Sequence, residues 1–364
     1  MTGRRRMTGL AATVLVLAGA VAGCARETAT FHPAGAVASS GASGAPAAPG
    51  SADPSGPAGS ITLAFAGDVH FTERTAPLLD DPATAFGPIA TVLRDADLTM
   101  LNLETAITDR GTPEPKQYHF RAPVTAFDAV RAAGVDVVTL ANNHVLDYGQ
   151  VGLADTLDNA KRAGFPFVGV GRAAAEAYAP LYVTVKGVKV ALLAFSQVHE
   201  LESTWVAKPN RPGVAMALDL DRATGAVATA RKNADLVIVF NHWGQEGKSC
   251  PNGEQKTFAA KLAAAGADLI IGSHAHTLQG DGWLGGTYVA YGLANFLWYG
   301  DSFSTETGVL KVTVDGRRVV RNEFLPAVVS VTGQPVPATG EAGNKINQRY
   351  AGLRQCAGLA AQPS

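Results

Sequence analysis

The sequence predicts an α/β fold in which two packed mixed sheets are flanked by helices. Two observations carry this prediction. Helix-like stretches that end in glycine are followed by apolar, strand-like runs, which is the order of repeated βα units. Two further segments are β-rich on both sides of a short turn and indicate antiparallel hairpins. Parallel units mixed with hairpins are typical of two sheets packed between layers of helices.

The first half of the ordered chain begins at Ile61. Its run ITLAFAG is a buried strand, and a helix is predicted from about Ala83 to Ala96. After the apolar run DLTMLNLE, we predict a helix in PVTAFDAVRAAG that Gly134 stops, and a strand in VDVVTLANNH. The next helix, GLADTLDNAKRAG, ends at Gly164 and leads to the strand FPFVGVG.

The second half opens with a predicted hairpin, LYVTVKGVKVALLAFS, that turns at Lys186-Gly187. A helix near residues 219–232 precedes the strand ADLVIVFNHWG, and a helix ended by Gly266 precedes ADLIIGSHAH. The strand TYVAYGLANF follows. A second hairpin turns at Asp315-Gly316, between VLKVTV and RRVVRNEF. We expect one ordered domain over residues 61–332 and a Pro/Gly-rich C-terminal tail over residues 333–364.

The N-terminal segment has the pattern of a secretory signal. Three arginines precede an apolar run from Leu10 to Ala22, and the end reads Val-Ala-Gly-Cys24, which resembles a bacterial lipobox. The run is shorter than the roughly 20 residues that a spanning helix needs. We therefore predict a lipoprotein signal peptide over residues 1–23, lipidation of Cys24, and an extracytoplasmic protein anchored to the cell membrane. A short membrane anchor with an incidental cysteine is the alternative.

Residues 24–60 are rich in glycine, alanine, serine and proline without apolar periodicity, and predict a flexible tether. Beyond Cys24 the chain has only Cys250 and Cys356, an even pair in an oxidising compartment. They are predicted to form a disulfide, with two free thiols as the alternative. The formal net charge of −1 argues against nucleic acid or an anionic surface as the main partner.

Five of the eight histidines follow short apolar runs at predicted strand ends. They are His70, His144, His242, His274 and His276. Ligands of open α/β sheets bind at the carboxyl ends of the strands. Since neutral imidazole and carboxylate together suit divalent transition metals, the array predicts a metal site.

Three of these histidines belong to short motifs that each contain two candidate ligands. Asp68 precedes His70 by two residues, as His274 precedes His276. Residues two apart on an extended segment point to the same side, so both members of each pair are placed to reach one metal. Taken alone, Asp-x-His has an ordinary interpretation as a turn beside a solvated histidine, and His-x-His as a surface loop.

Oxygen-bearing side chains lie at the remaining strand ends. Asn143 offers an amide oxygen, and the adjacent His144 is placed as a general acid. Asn102 and Glu104 lie on one face of their strand, with Glu104 as a possible bridge between two ions. Glu246 follows His242 closely enough to accept a hydrogen bond from a metal-bound histidine. An Asx turn and a helix or loop cap are the alternatives for the asparagine and glutamate motifs.

Together these motifs resemble the calcineurin-like metallophosphoesterases, and in detail the CapA family of capsule or poly-γ-glutamate biosynthesis proteins. The shared motifs are Gly-Asp after the first strand, Asn-Leu-Glu, Ala-Asn-Asn-His, His-Trp-Gly-x-Glu, Gly-Ser-His-x-His and Tyr-x-Leu-x-Asn-Phe. They run in the family's order from about Leu63 to Phe296. The resemblance implies a metallophosphoesterase-like four-layer α/β/β/α sandwich with two divalent metal ions (Mn, Fe, Zn or Mg).

By motif position, the resemblance implies two sets of ligands. One ion would be held by Asp68, His70, Glu104 and His276, and the other by Glu104, Asn143, His242 and His274. Two ions roughly 3.5–4 Å apart clamp a phosphate and activate a bridging hydroxide. The chain departs from phosphoesterases in supplying Glu104 where they use an aspartate, and in following His144 with Val145, which leaves Asp147 as the partner of the acid.

The function that this resemblance implies is that of a surface-anchored protein of capsule or poly-γ-glutamate biosynthesis. If it is an enzyme, its reaction is metal-dependent hydrolysis or transfer at a phosphate, acyl or amide centre. The competing hypothesis is a scaffold for subunits of a membrane polymer synthase, with a structural or vestigial metal site. The expected partners are the membrane, such subunits, and an anionic polymer or phosphate-containing substrate. A solute-binding lipoprotein would leave the histidine array unexplained.

Overall fold

The computed structural model describes residues 29–32, 59–299 and 302–364. Two large sheets contain most of its strands. The first sheet, in spatial order, consists of β1 (Thr30–His32), β9 (Leu181–Val185), β10 (Val188–Ser196), β12 (Leu236–Trp243), β13 (Leu269–His274), β15 (Thr287–Leu293) and β14 (Leu278–Leu284). Its four central strands, β10, β12, β13 and β15, are parallel.

The second sheet is also mixed. In spatial order it consists of β19 (Pro335–Pro337), β18 (Arg318–Val329), β17 (Glu306–Asp315), β2 (Ile61–Val69), β3 (Leu98–Leu103), β6 (Val137–Thr139) and β7 (Phe167–Val168), and β16 (Asn295–Leu297) pairs with β2. Four neighbouring strands of this sheet, β2, β3, β6 and β7, run parallel to one another. Two short pairs complete the strands, β4 (Ala106–Ile107) with β5 (Arg121–Ala122) and β8 (Val170–Gly171) with β11 (Gly213–Val214).

The helices that flank the sheets are mostly the connections between parallel strands. They are α1 (Ala90–Arg94), α2 (Thr125–Ala132), α3 (Gly149–Ala163), α4 (Ala174–Ala177), α5 (Glu202–Trp205), α6 (Leu220–Asn233), α7 (Gly253–Ala265), α8 (Gly340–Gly352) and α9 (Arg354–Ala357). Gly164 and Gly266 end α3 and α7 with left-handed backbone, as the sequence predicts.

The central strands of the first sheet are buried on both faces, because successive side chains point to opposite sides. In β10, Val190 and Leu192 belong to the large core shared with the second sheet, whereas Ala191 and Leu193 pack in a core with Val227 of α6 and other helical residues. The predicted fold of two packed mixed sheets flanked by helices is confirmed.

Both predicted hairpins are confirmed. β9 and β10 turn at Lys186 and Gly187, which have φ of 46° and 82°, as a two-residue hairpin requires. β17 and β18 join at Asp315 to Arg318. The helix expected from Ala83 to Ala96 is largely wrong: 3₁₀ turns at Pro82–Thr84 and Gly87–Ile89 precede α1, because prolines interrupt the α-helical hydrogen bonds.

Two segments outside the predicted domain also contribute to the fold. Residues 333–364 form β19, α8 and α9 rather than a tail, because Ile346 and Tyr350, four residues apart, share one buried helix face. Tyr350 stacks on Phe324 of β18 with ring centroids 4.2 Å apart. Within the tether, residues 30–32 pair with β9 as an edge strand. Cys24 and the signal segment lie outside the described residues.

Candidate metal centre

The parallel strands of both sheets end at one edge of the molecule, where the predicted ligands meet. Asp68 lies in β2, His242 in β12 and His274 in β13; Glu104 directly follows β3, and Asn143 lies in the loop after β6. These five residues are at most 7% exposed. The structure therefore brings side chains from two sheets into one buried centre.

Asn102 connects three members of this centre. Its Nδ2 donates to Oδ1 of Asp68 at 2.8 Å and to Oε2 of Glu104 at 3.3 Å, and lies 3.2 Å from Nδ1 of His242. Its own Oδ1 accepts a hydrogen bond from Nδ2 of Asn142 at 3.0 Å. The amide thereby orients the carboxylates that were predicted as ligands.

The ligand atoms fall into two overlapping groups. Those of Glu104, His274 and His276 lie within 4.8 Å of one another, and so do those of Asp68, Glu104 and His242. Glu104 belongs to both groups, which is the arrangement of a bridging carboxylate. The division of the other ligands differs from the one that the resemblance implies, since His274 and His276 lie in the same group.

The two carboxyl groups have opposite pKa shifts. Burial raises the pKa of Glu104 well above its usual value, and the negative charge of Asp68 adds to this. Burial acts the same way on Asp68, but its close approach to the His276 imidazolium, together with the hydrogen bond from Asn102, outweighs burial and lowers its pKa. A cation bound between the two carboxyl groups would favour the ionised form of Glu104.

His242 and His274 are neutral in this environment. Burial lowers the pKa of His242 to about 3 and that of His274 well below its usual value. Their ring centroids are 4.6 Å apart, and Nε2 of His242 lies 2.8 Å from Oδ1 of Asn143. Nδ1 of His274 is buried without a hydrogen-bond partner. Neutral imidazole is the form that binds metal ions.

His276 is positioned by contacts with three other side chains. Its Nδ1 lies 2.6 Å from Oδ1 of Asn295 in β16 and 3.6 Å from Oδ2 of Asp68, while Nε2 lies 3.8 Å from Oε1 of Glu246. Burial lowers the pKa of His276, but the close approach of the Asp68 carboxylate, together with the charges of Glu104 and Glu246, outweighs this and raises the pKa to about 9. His274 and His276 both have positive φ, 83° and 55°, a conformation concentrated at functional sites.

His144 and Asp147 form a hydrogen-bonded pair beside the centre. Nδ1 of His144 lies 2.6 Å from Oδ2 of Asp147, and Nε2 lies 3.7 Å from Oε1 of Glu104. Phe120 stacks on the imidazole with ring centroids 3.9 Å apart, and its backbone N–H donates to the same Asp147 oxygen. The ring is therefore fixed in orientation, with Nε2 directed toward the centre.

A buried lysine that sequence reasoning missed supports this pair. Nζ of Lys116 lies 2.9 Å from Oδ1 of Asp147 and 2.9 Å from Oε2 of Glu200, and it donates to the backbone oxygen of Asn143. The lysine side chain is only 2% exposed. Glu200 also accepts from Nδ2 of Asn143 at 3.3 Å, which leaves Oδ1 of that amide facing His242.

His70 has different contacts from the other predicted ligands. The backbone N–H of Thr72 donates to its Nδ1 at 3.1 Å, so the neutral ring carries its proton on Nε2. The ring packs among Phe120, Trp298 and Tyr299 at centroid distances of 4.4, 4.4 and 4.6 Å. Nε2 is buried without a partner. In this arrangement neither nitrogen offers a free lone pair to a metal.

The two cysteines of the ordered chain are joined in the structure. Cys250 and Cys356 form a disulfide with Cα atoms 5.6 Å apart. It ties α9 to the loop that follows β12 and carries Glu246. Nζ of Lys256 donates to the backbone oxygen of Cys356 at 2.8 Å beside it.

The residues present fit a divalent metal centre. Oε1 of Glu104 and Nδ1 of His274 are buried without hydrogen bonds, an arrangement that costs free energy unless a cation satisfies them. The donors are carboxylate oxygens and imidazole nitrogens, which suit Mn, Fe or Zn.

Fold and site together define a class of protein: an α/β sandwich with a buried carboxylate–histidine centre at the carboxyl ends of its parallel strands. The family model described as "Bacterial capsule synthesis protein PGA_cap" matches residues 62–299. The chain belongs to this family. The matched region contains every predicted metal ligand, as well as His144 and Asp147.

Similarity to curated proteins supports this membership. "PGA biosynthesis protein CapA" of Bacillus subtilis is 30% identical over 242 residues, covering 65% of this chain and 63% of the relative. "Capsule biosynthesis protein CapA" of Bacillus anthracis is 30% identical over 247 residues, covering 65% and 59%. A "probable polyglutamine synthesis accessory protein" of Mycobacterium tuberculosis is 31% identical over 225 residues, covering 58% and 59%. The chain thus spans about three fifths of each relative's length.

Among solved structures, a phosphatase of Mycoplasma pneumoniae matches with a TM-score of 0.49 and 14% sequence identity, covering 74% of this chain and 94% of that chain. A hypothetical protein of Thermus thermophilus matches with a TM-score of 0.46 and 16% identity, covering 73% and 98%. Within the described ranges, no helix has the length and apolar character needed to cross a membrane.

Proposed function

We propose that this chain is a lipid-anchored, extracytoplasmic member of the family that takes part in assembling an anionic polymer of the poly-γ-glutamate or capsule type. Its reaction would be hydrolysis or transfer at a phosphate, acyl or amide centre. The observation that supports this best is the position of the His144–Asp147 pair, with Nε2 of His144 3.7 Å from the carboxylate shared by both ligand groups.

Metal ions would be held by the groups of converging acidic and histidine side chains, with Asn143 as a further oxygen donor. When bound, such ions act as Lewis acids that polarise a substrate oxygen and lower the pKa of water. The chain's own residues supply proton transfer. Neutral His144, with its proton on Nδ1 toward Asp147, would accept at Nε2 the proton of the attacking water or hydroxyl group. Asp147 would stabilise the imidazolium until that proton passes to the leaving oxygen, or to the leaving nitrogen of an amide.

A non-catalytic scaffold for membrane polymer-synthase subunits is the second candidate, and one observation favours it. Asp68, Glu104 and His242 are at most 1% exposed, and structural metal sites are closed whereas catalytic ones keep an open position. In that case metal would stabilise the surface that binds the partner, and His144 would have no chemical role.

Two measurements test the proposal. One is metal analysis of the purified mature chain, and the other is an assay of its activity on phosphodiester, phosphomonoester and γ-glutamyl amide substrates. We expect His274→Gln to lose metal and activity, and His144→Gln to lose activity but keep metal. His199→Gln is a matched control, because His199 is an exposed histidine paired with Glu202. If polymer production survives His144→Gln but not His274→Gln, the scaffold is the correct function.

The proposed anchorage has its own test. Replacing Cys24 with Ser should leave the precursor unprocessed or release the protein from the membrane fraction. Unchanged processing and membrane association in this variant would remove the lipoprotein from the proposal without affecting the metal centre.

A further inference from the structure

The end of the domain opposite the metal centre carries a concentration of basic side chains. Helices that connect parallel strands run back along the sheets, so their last turns lie at the end where the strands begin. Most of these turns are basic, and both hairpins add to them. We call this surface the basic pole; its residues are Arg94, Arg131, Lys161, Arg162, Lys186, Arg231, Lys232, Arg317 and Arg318.

Most of the aspartates at the same end serve the backbone. Asp97, Asp136, Asp235 and Asp268 each precede a parallel strand. The carboxylate of each accepts a hydrogen bond of 2.8 Å from a backbone N–H of the neighbouring strand. The other two are Asp95, which pairs with Lys311 at 2.7 Å, and Asp315. Two of them also pair with basic residues of the pole: Asp97 with Lys186 at 2.8 Å, and Asp268 with Arg231 and Arg317 at 2.5 and 2.8 Å. The six aspartates are fewer than the nine basic residues, so these groups together carry a net positive charge.

The direction of β1 shows from which end the N-terminal segment reaches the domain. Thr30 pairs with Thr184 and His32 with Tyr182. Thr184 in turn pairs with Lys189 near the start of β10, whose other end is at Ser196 beside His242. The chain therefore arrives at the basic pole and runs from there toward the end that holds the metal centre.

The segment before β1 is short. Only residues 25–29 separate Cys24 from Thr30. A fully extended chain spans at most about 3.6 Å per residue, so Thr30 lies within roughly 20 Å of the Cys24 backbone. A lipidated Cys24 would consequently hold the basic pole close to the bilayer, even though the whole predicted tether extends to residue 60.

We propose that the basic pole is the membrane-facing surface of this protein and contacts the headgroups of an anionic phospholipid bilayer. The metal centre then faces away from the membrane, at the far ends of the parallel strands. Basic side chains close to an anionic bilayer are attracted by its negative surface potential. The direction of β1 and the distribution of charge support this orientation independently. The inference rests on the proposed lipid anchorage.

The first experiment measures vesicle binding by the basic pole without a lipid anchor. It uses the mature chain, which begins at residue 24, with the substitution Cys24→Ser. Vesicles contain phosphatidylglycerol and phosphatidylcholine, or phosphatidylcholine only. We expect salt-sensitive binding to the anionic vesicles that falls about tenfold or more in the triple variant K161E/K232E/R318E. These three side chains are exposed. The triple variant K208E/K248E/K345E changes the net charge equally at other exposed positions and should bind normally.

Orientation is tested on the lipid-anchored full chain in the same anionic vesicles. A fluorophore on Lys232→Cys should be quenched by nitroxide-labelled headgroups, and one on Lys208→Cys should not. Equal quenching at both positions, or equal vesicle binding by the two triple variants, would overturn the proposal. Failure of the anchorage is distinguishable, because Cys24→Ser would then leave membrane association in cells unchanged, whatever the charge variants do.

Discussion

Nδ1 of His144 lies 2.6 Å from Oδ2 of Asp147, three positions later in the same loop. This contact fixes the tautomer of the imidazole, since the proton on Nδ1 points to the carboxylate and Nε2 faces Glu104. The sequence offered Asp147 only as a substitute for an acidic residue expected directly after the histidine. In the structure, the loop brings Asp147 into contact with Nδ1 of His144 although it lies three positions away.

If the protein is an enzyme, Asp147→Asn should lower its rate, because the amide no longer stabilises the imidazolium. His144→Gln should lower it by about a hundredfold or more, within the range of general acid–base catalysis. Steady-state rates and metal content are measured for both variants. A His144→Gln protein with normal metal content and a normal rate would exclude the proton-transfer role.

Lys116 and Asp147 should be energetically coupled, because their salt bridge is buried. Lys116→Met leaves an unpaired buried carboxylate and should lower the free energy of unfolding by about 3 kcal/mol or more. Adding Asp147→Asn removes that charge, so the double variant should be less destabilised than the two single effects combined. Denaturant unfolding of all four proteins measures this coupling, and additive effects would contradict it.

The strands, hairpins and helix ends of the domain could be predicted because their signals are local. A buried parallel strand is a run of apolar residues, and Gly164 or Gly266 marks the end of the helix before it. The converging ligands followed from the same reasoning, since each comes at the end of such a run. The ends of the parallel strands within one sheet lie side by side, whereas the meeting of two sheets at one centre was implied by the family resemblance.

Lys116, Glu200 and Asn295 could not be recognised in the same way. Lys116 lies in a proline-rich loop, and nothing near it in sequence indicates that Asp147 and Glu200 approach it from 31 and 84 positions away. Asn295 belongs to the recognised Tyr-x-Leu-x-Asn-Phe motif, which gave a signal for importance but none for its contact with His276. Their roles depend on pairings between distant segments.

The metal-free protein should lose stability in acid through His242. Its pKa is about 3 in the fold against an ordinary value of 6.5. Between these values the unfolded chain binds a proton that the folded chain does not, so the free energy of unfolding falls as the pH falls below about 6.5. The contribution reaches about 1.4 kcal/mol per pH unit.

Urea unfolding in the presence of a chelator measures the contribution of His242 to the pH dependence of stability. It is carried out at pH 6 and pH 5 for the wild type and for His242→Gln. The wild type should lose more stability between the two pH values than the variant does. The other buried histidines are present in both proteins and cancel in the comparison. Identical pH dependence would mean that His242 is protonated in the fold.

His70 and His274 should differ in their effect on metal content. His274 has a buried Nδ1 without a partner, whereas Nδ1 of His70 accepts the Thr72 N–H. We expect His274→Gln to lose bound metal and His70→Gln to retain most of it. Elemental analysis of both proteins decides between this expectation and the ligand role that the family resemblance implies, under which the two variants would lose metal alike.

Removing the Cys250–Cys356 disulfide should destabilise the protein substantially. The bond closes a loop of about a hundred residues, since its cysteines are 106 positions apart, and the chain-entropy estimate for such a loop is about 4.7 kcal/mol. The double variant C250S/C356S should therefore unfold at a lower denaturant concentration, and reduction should shift the wild type similarly without affecting the variant. We expect α9, which carries Cys356, to separate first, and its remaining contacts include the bonds from Arg354 Nε to the Asp281 backbone oxygen at 2.7 Å and from Lys256 Nζ to the Cys356 backbone oxygen at 2.8 Å. Hydrogen exchange across residues 340–364 reports that separation; unchanged protection there and a loss of stability below about 1 kcal/mol would show that α8 and α9 are held by packing alone.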